Sequence, residues 1–180
     1  MEVDGEVLEE LQTLRRAVAR LEAERDCAAL LARYGYYVDH GRREEWVNLF
    51  TEDGVFENVL YYGDDIVNSD PDLWRLTRFV GRDQLREMIS APVNAKIVGH
   101  AQHHVGGPPA TFRLIDDSNA VMVSYSVVYI KENPDMPVVQ YQNHAMNRWT
   151  FRKVDGQWYI AENIRRKMGS ADTGSLFEDF

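Results

Sequence analysis

Three of the chain's five histidines fall within five positions: His100, His103 and His104, in HAQHHVGG at 100–107. Two chemistries suit such a cluster. The spacing His-x-x-His-His would hold zinc on a helix, where positions i and i+3 share a face. The stretch instead runs on through VGGPP into a segment rich in β-forming residues, so the backbone there reads as extended. An extended chain sends His103 and His104 to opposite faces. The sole cysteine, Cys27, is distant, and the sequence offers no evident carboxylate or histidine to complete a site. The reading is therefore no metal and one inward histidine. Histidine titrates near neutrality, so it can take a proton and return it within one turnover.

The elements that must position this histidine divide the chain in two. Val7 or Leu8, Leu11, Leu14, Val18 and Leu21 recur at helical spacing, and the pattern continues weakly through Ala28, Leu31 and Tyr34 to about Val38. One long helix or two abutting ones would end at DHG (39–41), with Gly41 as a left-handed cap. The first stripe could pack on its own domain or on a partner helix in an oligomer. Short helices are expected over REEWVNLF (43–50) and GRDQLREMI (81–89), and Ser69 or Asp70 with Pro71 reads as a helix start over 69–79. TEDGVFENVLYY (51–62) is expected to turn at Asp53-Gly54 and enter a strand. After residue 97, ATFRLI, NAVMVSYSVVYIK, VVQYQNHAMNRWTFRKV and QWYIAENIRRK alternate as strands, with hairpin turns at IDDSNA and Asp155-Gly156. GGPP after the histidines implies a bulge or sharp bend. Helices followed by antiparallel strands make an α+β fold with helices packed on one curved sheet.

Composition narrows the function classes. The 180 residues, 44% hydrophobic, suit one domain with a real core. A net charge of −9 speaks against nucleic acid, since the nearest basic run, RRKM at 165–168, leads into an acidic tail. No apolar run approaches the ~20 residues that span a bilayer, so no membrane association is expected. A single cysteine excludes an intrachain disulfide and fits a reducing compartment. The acidic, amphipathic start does not resemble a signal peptide, and a cytoplasmic location is expected.

LLARYGYYVDHGRREEWVNLFTEDGVFE, GRDQLREMI, QHHVGG and NRWTFRKVDGQWYIAE resemble, in that order, the SnoaL-like branch of the nuclear transport factor 2-like superfamily. That branch includes polyketide cyclases, scytalone dehydratases and bile-acid 7α-dehydratases. The resemblance covers roughly residues 20–168 and rests on the ordered set rather than on any one motif. It implies a cone, a strongly curved mixed sheet wrapped around N-terminal helices with one deep pocket. Residues 1–20 would be an amphipathic helical extension, 21–168 the cone, and 169–180 a tail that is either frayed or a flap over the pocket. A homo-oligomer is implied, trimeric as in the dehydratases or dimeric as in many cyclases.

The resemblance also implies a site. An Asp near the end of the long helix and a His at the start of a central strand point into such cones. Asp39 and His103 stand at those positions. Tyr34, five residues before the Asp, matches a tyrosine of the bile-acid dehydratases, and Asn147, eight residues ahead of the Asp-Gly turn, matches an asparagine of the scytalone dehydratases. Two departures stand out: Val38 replaces a tyrosine, and the helper tyrosine of the first strand falls at Asn58, with Tyr61 and Tyr62 close behind. Asn58, Tyr61, His104 and His144 complete the candidate substrate contacts, His104 being the alternative should the strand register shift by one. Each residue has a plainer reading too: Asp39 as a helix end, His103 as a satisfied core histidine, Tyr34 as packing, Asn147 as a strand residue.

An Asp on the second ring nitrogen fixes the histidine tautomer and stabilises the imidazolium. Such a dyad needs no cofactor and suits proton removal next to a carbonyl, followed by dehydration, double-bond migration or ring closure. The expected function is a cofactor-independent lyase or isomerase, first a dehydratase, acting on a hydrophobic cyclic, polyketide- or steroid-like molecule. The alternatives are a polyketide cyclase, or a non-catalytic scaffold like the small subunit of a ring-hydroxylating dioxygenase.

Overall fold

The computed structural model describes residues 5–61, 70–131, 133, 135, 141–178 and 180, with side chains at all of these except 61, 71, 108, 109, 141 and 142. One helix, α1 (Gly5–Asp39), runs unbroken through both halves of the expected pattern. It stops where Gly41 turns left-handed at φ +67°, and the Arg42 N–H reaches back to the Tyr37 carbonyl at 2.8 Å. The short α2 (Arg43–Val47) buries Trp46 and Val47. It is followed by β1 (Phe50–Tyr61), β2 (Trp74–Val80), α3 (Gly81–Ile89), α4 (Pro92–Ile97), β3 (Ala101–Asp116), β4 (Asn119–Ile130), β5 (Tyr141–Val154) and β6 (Gln157–Lys167).

The six described strands form one sheet in the order β2-β1-β6-β5-β4-β3. The β1–β6 pair is parallel and the others are antiparallel, so the sheet is mixed. Bulges bend it. The β1–β6 register slips between Phe50 and Val55, and the β3–β4 register between Val105 and Ala110. Gly106 makes the second break at φ +68°, where a side chain would also strike Leu31. A bulge adds local bend and twist, and here the bends fold the sheet around α1. Cys27, Leu30, Leu31, Tyr34 and Val38 of the helix meet Trp46, Phe50, Phe56, Trp149, Phe151 and Ile160 in the core.

Two local expectations need correction. The described residues 70–79 are not an α-helix: Pro71–Leu73 form a single 3-10 turn, and Trp74 begins β2. The Pro71 start signal is real but local, and WRLTRFV beyond it gains more from pairing with β1, Phe79 lying opposite Phe56. Asp53-Gly54 is a bulge inside β1 rather than a turn before it. A Cβ on Gly54 would lie 2.8 Å from the Phe50 Cβ. The Asp155-Gly156 turn has both residues at positive φ, as a two-residue hairpin requires. The tail packs away from the pocket. Leu176 is buried, its carbonyl accepts from Arg148 at 3.1 Å, and Phe180 lies under the Arg113 and Arg148 guanidiniums. Arg148 alternates with the inward Asn147 and Trp149, so the tail covers the outer face of the sheet instead of forming a flap. No described helix is long and apolar enough to cross a membrane.

Candidate active site

The inner end of α1 and the first residues of β3 are joined by three hydrogen bonds. The Gly99 N–H donates to the Asp39 carbonyl at 2.8 Å. The Asp39 carboxylate then accepts twice from His103, the backbone N–H reaching Oδ2 at 2.9 Å and ring Nδ1 reaching Oδ1 at 2.5 Å. Such closeness of helix and strand needs a residue without a side chain one turn earlier. That residue is Gly35, where a Cβ would sit 2.6 Å from the His103 carbonyl oxygen. Both acidic oxygens are thus spent on one histidine. With Nδ1 committed as donor, Nε2 carries the lone pair.

His103 lines an open cavity of about 710 Å³ bounded by the sheet, α1, α3 and α4. Its walls are mostly apolar, with Trp46, Phe56, Phe79, Met88, Ile97, Val128 and Trp149 among them. Asp39 sits behind the ring, buried. Tyr34 also lines the cavity, its ring edge-on to Trp46 and Trp149 at 5.3 and 5.4 Å. Burial pushes its phenol well above the usual value, against the opposing pull of the Arg165 charge and the Trp46 indole. Tyr34 is therefore a donor and not an anion. The Trp46 indole N–H is buried without a hydrogen-bond partner among the described residues.

A second polar group lies on the sheet. Arg165 donates to Asn58 Oδ1 at 3.3 Å, Asn143 Oδ1 at 3.1 Å and, more weakly, Ser126 Oγ at 3.4 Å. Asn163 donates to the Arg148 carbonyl at 3.5 Å and to Asn147 Oδ1 at 3.4 Å, which orients the Asn147 amide. Asn147 Nδ2 in turn donates to Ser126 Oγ at 2.7 Å. Both lone pairs of the Ser126 hydroxyl receive N–H groups, and its own proton remains to be donated. Ser126, Asn58, Asn143, Asn147 and Arg165 all line the cavity.

Of the residues singled out in the sequence, the structure brings His103, Tyr34, Asn58 and Asn147 to the wall of this cavity, with Asp39 bonded to His103 behind it. Tyr61 ends β1 opposite Trp74, and Tyr62 lies outside the described residues. Two of the candidate substrate contacts face away from the cavity. His104 is exposed on the outer face of β3, its ring against Tyr129 at 5.6 Å, because alternation places it opposite His103. His144 is exposed for the same reason, between the inward Asn143 and Ala145 of β5. His100 is exposed with its ring 3.3 Å from the Lys131 carbonyl. Among the described residues no three His, Cys, Asp or Glu side chains are grouped to hold a metal. Sequence reasoning missed Arg165, Ser126, Asn143 and Gly35. Asn147 pointed to Arg165 alone, its cross-strand partner.

A curved mixed sheet around a long helix, closed on one deep cavity, is the nuclear transport factor 2-like cone. The sequence matches the SnoaL-like domain over residues 19–163, and the chain belongs to that family. Solved structures agree on the fold. A nuclear transport factor 2-like protein with a cystatin-like fold from Novosphingobium aromaticivorans shares 24% identity at a TM-score of 0.69, covering 93% of this chain and 96% of that one. A protein from the same organism assigned as a scytalone dehydratase shares 18% at 0.61, covering 84% and 88%. Another, assigned as the β subunit of an aromatic-ring-hydroxylating dioxygenase, shares 18% at 0.60, covering 82% and 90%. No curated protein matches the sequence.

Proposed function

We propose that the protein is a cofactor-independent dehydratase acting on a hydrophobic cyclic molecule, with His103 as base and Asp39 as the group that orients it. The observation that carries this reading is the Asp39–His103 bond on the cavity wall, which leaves Nε2 as the acceptor. Nε2 removes a proton from the carbon next to a substrate carbonyl, and the C–H electrons move into an enolate. Asp39 stabilises the imidazolium this creates. The Ser126 and Tyr34 hydroxyls donate to the oxygen where negative charge develops, the place where fixed donors contribute most. The enolate then re-forms the carbonyl and expels the β-hydroxyl, which leaves as water with the proton from Nε2. No other proton carrier is required.

The apolar walls favour a flat, largely hydrocarbon ring system, and Arg165 favours an oxygen-rich edge on the sheet side. Ring closure by the same enolate, as in a polyketide cyclase, is the second reading within this class, because the first step is identical. A scaffold role is disfavoured by His103, held by Asp39, and Tyr34 lining the same cavity. The test is turnover of β-hydroxy-ketone polyketide and steroid substrates by wild type, His103→Ala and Asp39→Asn. Both variants are expected to stay folded and lose activity by about 10²–10⁴-fold. Full activity in both would remove the dyad from the mechanism.

A further inference from the structure

The first half of α1 is buried against none of the described residues of its own domain. Residues 5–22 are exposed throughout, and burial begins at Ala23. At 1.5 Å per residue this arm is about 27 Å long. It is nonetheless apolar along one side: Val7, Leu11, Leu14, Val18 and Leu21 are all exposed, the last three by more than half (54%, 52% and 59%). Where α1 enters the cone, its buried hydrophobic side chains are Ala23, Cys27, Leu30, Leu31, Tyr34 and Val38. With steps of about 100° per residue, the two stripes lie on roughly opposite sides of the helix. The domain that holds one stripe therefore cannot fold back over the other.

We propose that this arm pairs with the arm of a second copy of the chain as a parallel two-stranded coiled coil. The spacing from Val7 to Leu21 is 4-3-4-3, the heptad seam, with Leu11 and Val18 at a and Val7, Leu14 and Leu21 at d. A β-branched residue at a flanked by leucines at d, as at Val18 between Leu14 and Leu21, favours two strands. The flanking charges choose the direction. Glu10 falls at g and Arg15 at the following e, so a parallel pair sets Glu10 of each arm beside Arg15 of the other. An antiparallel pair centred on Leu14 would instead set Arg15 against its own copy.

The seam also has an end. The next a position is Arg25, bonded to its neighbour Asp26 at 2.8 Å, and there the two helices part toward their cones. Five seam residues would make a marginal coil in an isolated peptide. Here the cone has already nucleated the helix, and only the seam must form. This assembly is independent of the chemistry proposed for the cavity.

Sedimentation equilibrium of the full chain tests it. Wild type is expected to be a dimer, and the double variant Leu14→Glu/Val18→Glu a monomer with unchanged circular dichroism, since both positions are exposed. Thr13→Glu, at an exposed c position, should dimerise like wild type. Glu10→Arg and Arg15→Glu should each weaken the dimer roughly tenfold, and their combination should restore it. A monomeric wild type, or a dimer that survives Leu14→Glu/Val18→Glu, overturns the proposal. A trimer overturns the two-stranded seam, and failure of the charge swap to restore affinity overturns the parallel direction.

Discussion

On the α1–β3 side of the cavity, two side chains form one short pair at 2.5 Å, with a carboxylate committed to a single residue, one oxygen to its ring and the other to its backbone N–H. On the β4–β5–β6 side, a guanidinium, a hydroxyl and several amides share longer bonds of 2.7 to 3.5 Å. The first arrangement holds one group in one orientation and exposes a lone pair. The second spreads positive character over a surface and exposes a hydroxyl proton. One side is built to accept a proton and the other to receive negative charge. Proton abstraction next to a carbonyl needs both at once.

The sharpest way to separate the two sides is Ser126→Ala. It removes the hydroxyl that the Asn163–Asn147 relay orients while leaving the dyad untouched. We expect kcat to fall by about 10²–10³-fold with little change in KM, the signature of a donor used in the transition state. The shape of the pH–rate profile should not change, because the base is intact. A loss confined to KM would place Ser126 in substrate binding only.

Gly35→Ala attacks the other side without removing any polar group. Its Cβ would need the space of the His103 carbonyl oxygen, 2.6 Å away, so the helix and strand must separate. Overpacking of this kind costs about 1–3 kcal/mol, and a displaced base loses about 10²-fold in rate. Denaturant unfolding and turnover should fall together. Gly107→Ala, where a Cβ meets nothing within 4 Å, is the control and should alter neither.

Arg165→Lys tests how far the sheet side depends on one fork. Arg165 reaches Asn58, Asn143 and Ser126 with three different nitrogens. A lysine keeps the charge but cannot hold that geometry. KM is expected to rise about tenfold, with a smaller effect on kcat. Equal kinetics would mean that charge, and not the fork, is what the sheet side supplies.

The two sides also differed in how far the sequence disclosed them. Asp39 and His103 stand out as rare polar types at element boundaries, where DHG ends a helix and QHHVGG begins a bent strand. Alternation put His103 and His104 on opposite faces, and the resemblance of QHHVGG to the scytalone dehydratases chose His103. Ser126 lies within an apolar strand and reads as filler, and Arg165 in IRRK reads as part of a surface charge run. What makes them a site is strand register, Asn147 facing Arg165 across the β5–β6 pair and Ser126 lying on the neighbouring strand. Register is set by turns and bulges far from these residues, so their convergence is a tertiary fact. The same limit explains residues 69–79, where a local helix start was overruled by pairing with β1. The long helix and the late strands were legible because their periods run for many residues.

Tyr34 stands between the two sides and gives the smallest effect. If it only donates a hydrogen bond to the developing oxyanion, Tyr34→Phe should lower kcat by no more than about tenfold. Its ionisation supplies an independent readout. Burial raises the phenol's pKa above its ordinary value of 10, so above pH 10 the folded state keeps a proton that the unfolded state gives up. Stability rises with pH only where the unfolded state binds more protons, and here it binds fewer. The contribution is therefore complete below pH 10 and is lost as pH climbs toward the raised value. Denaturant midpoints of wild type and Tyr34→Phe should keep a constant gap up to pH 10 and converge above it. A gap that stays constant at higher pH would mean that the phenol reaches water, and that the cavity is wetter at Tyr34 than its apolar lining implies.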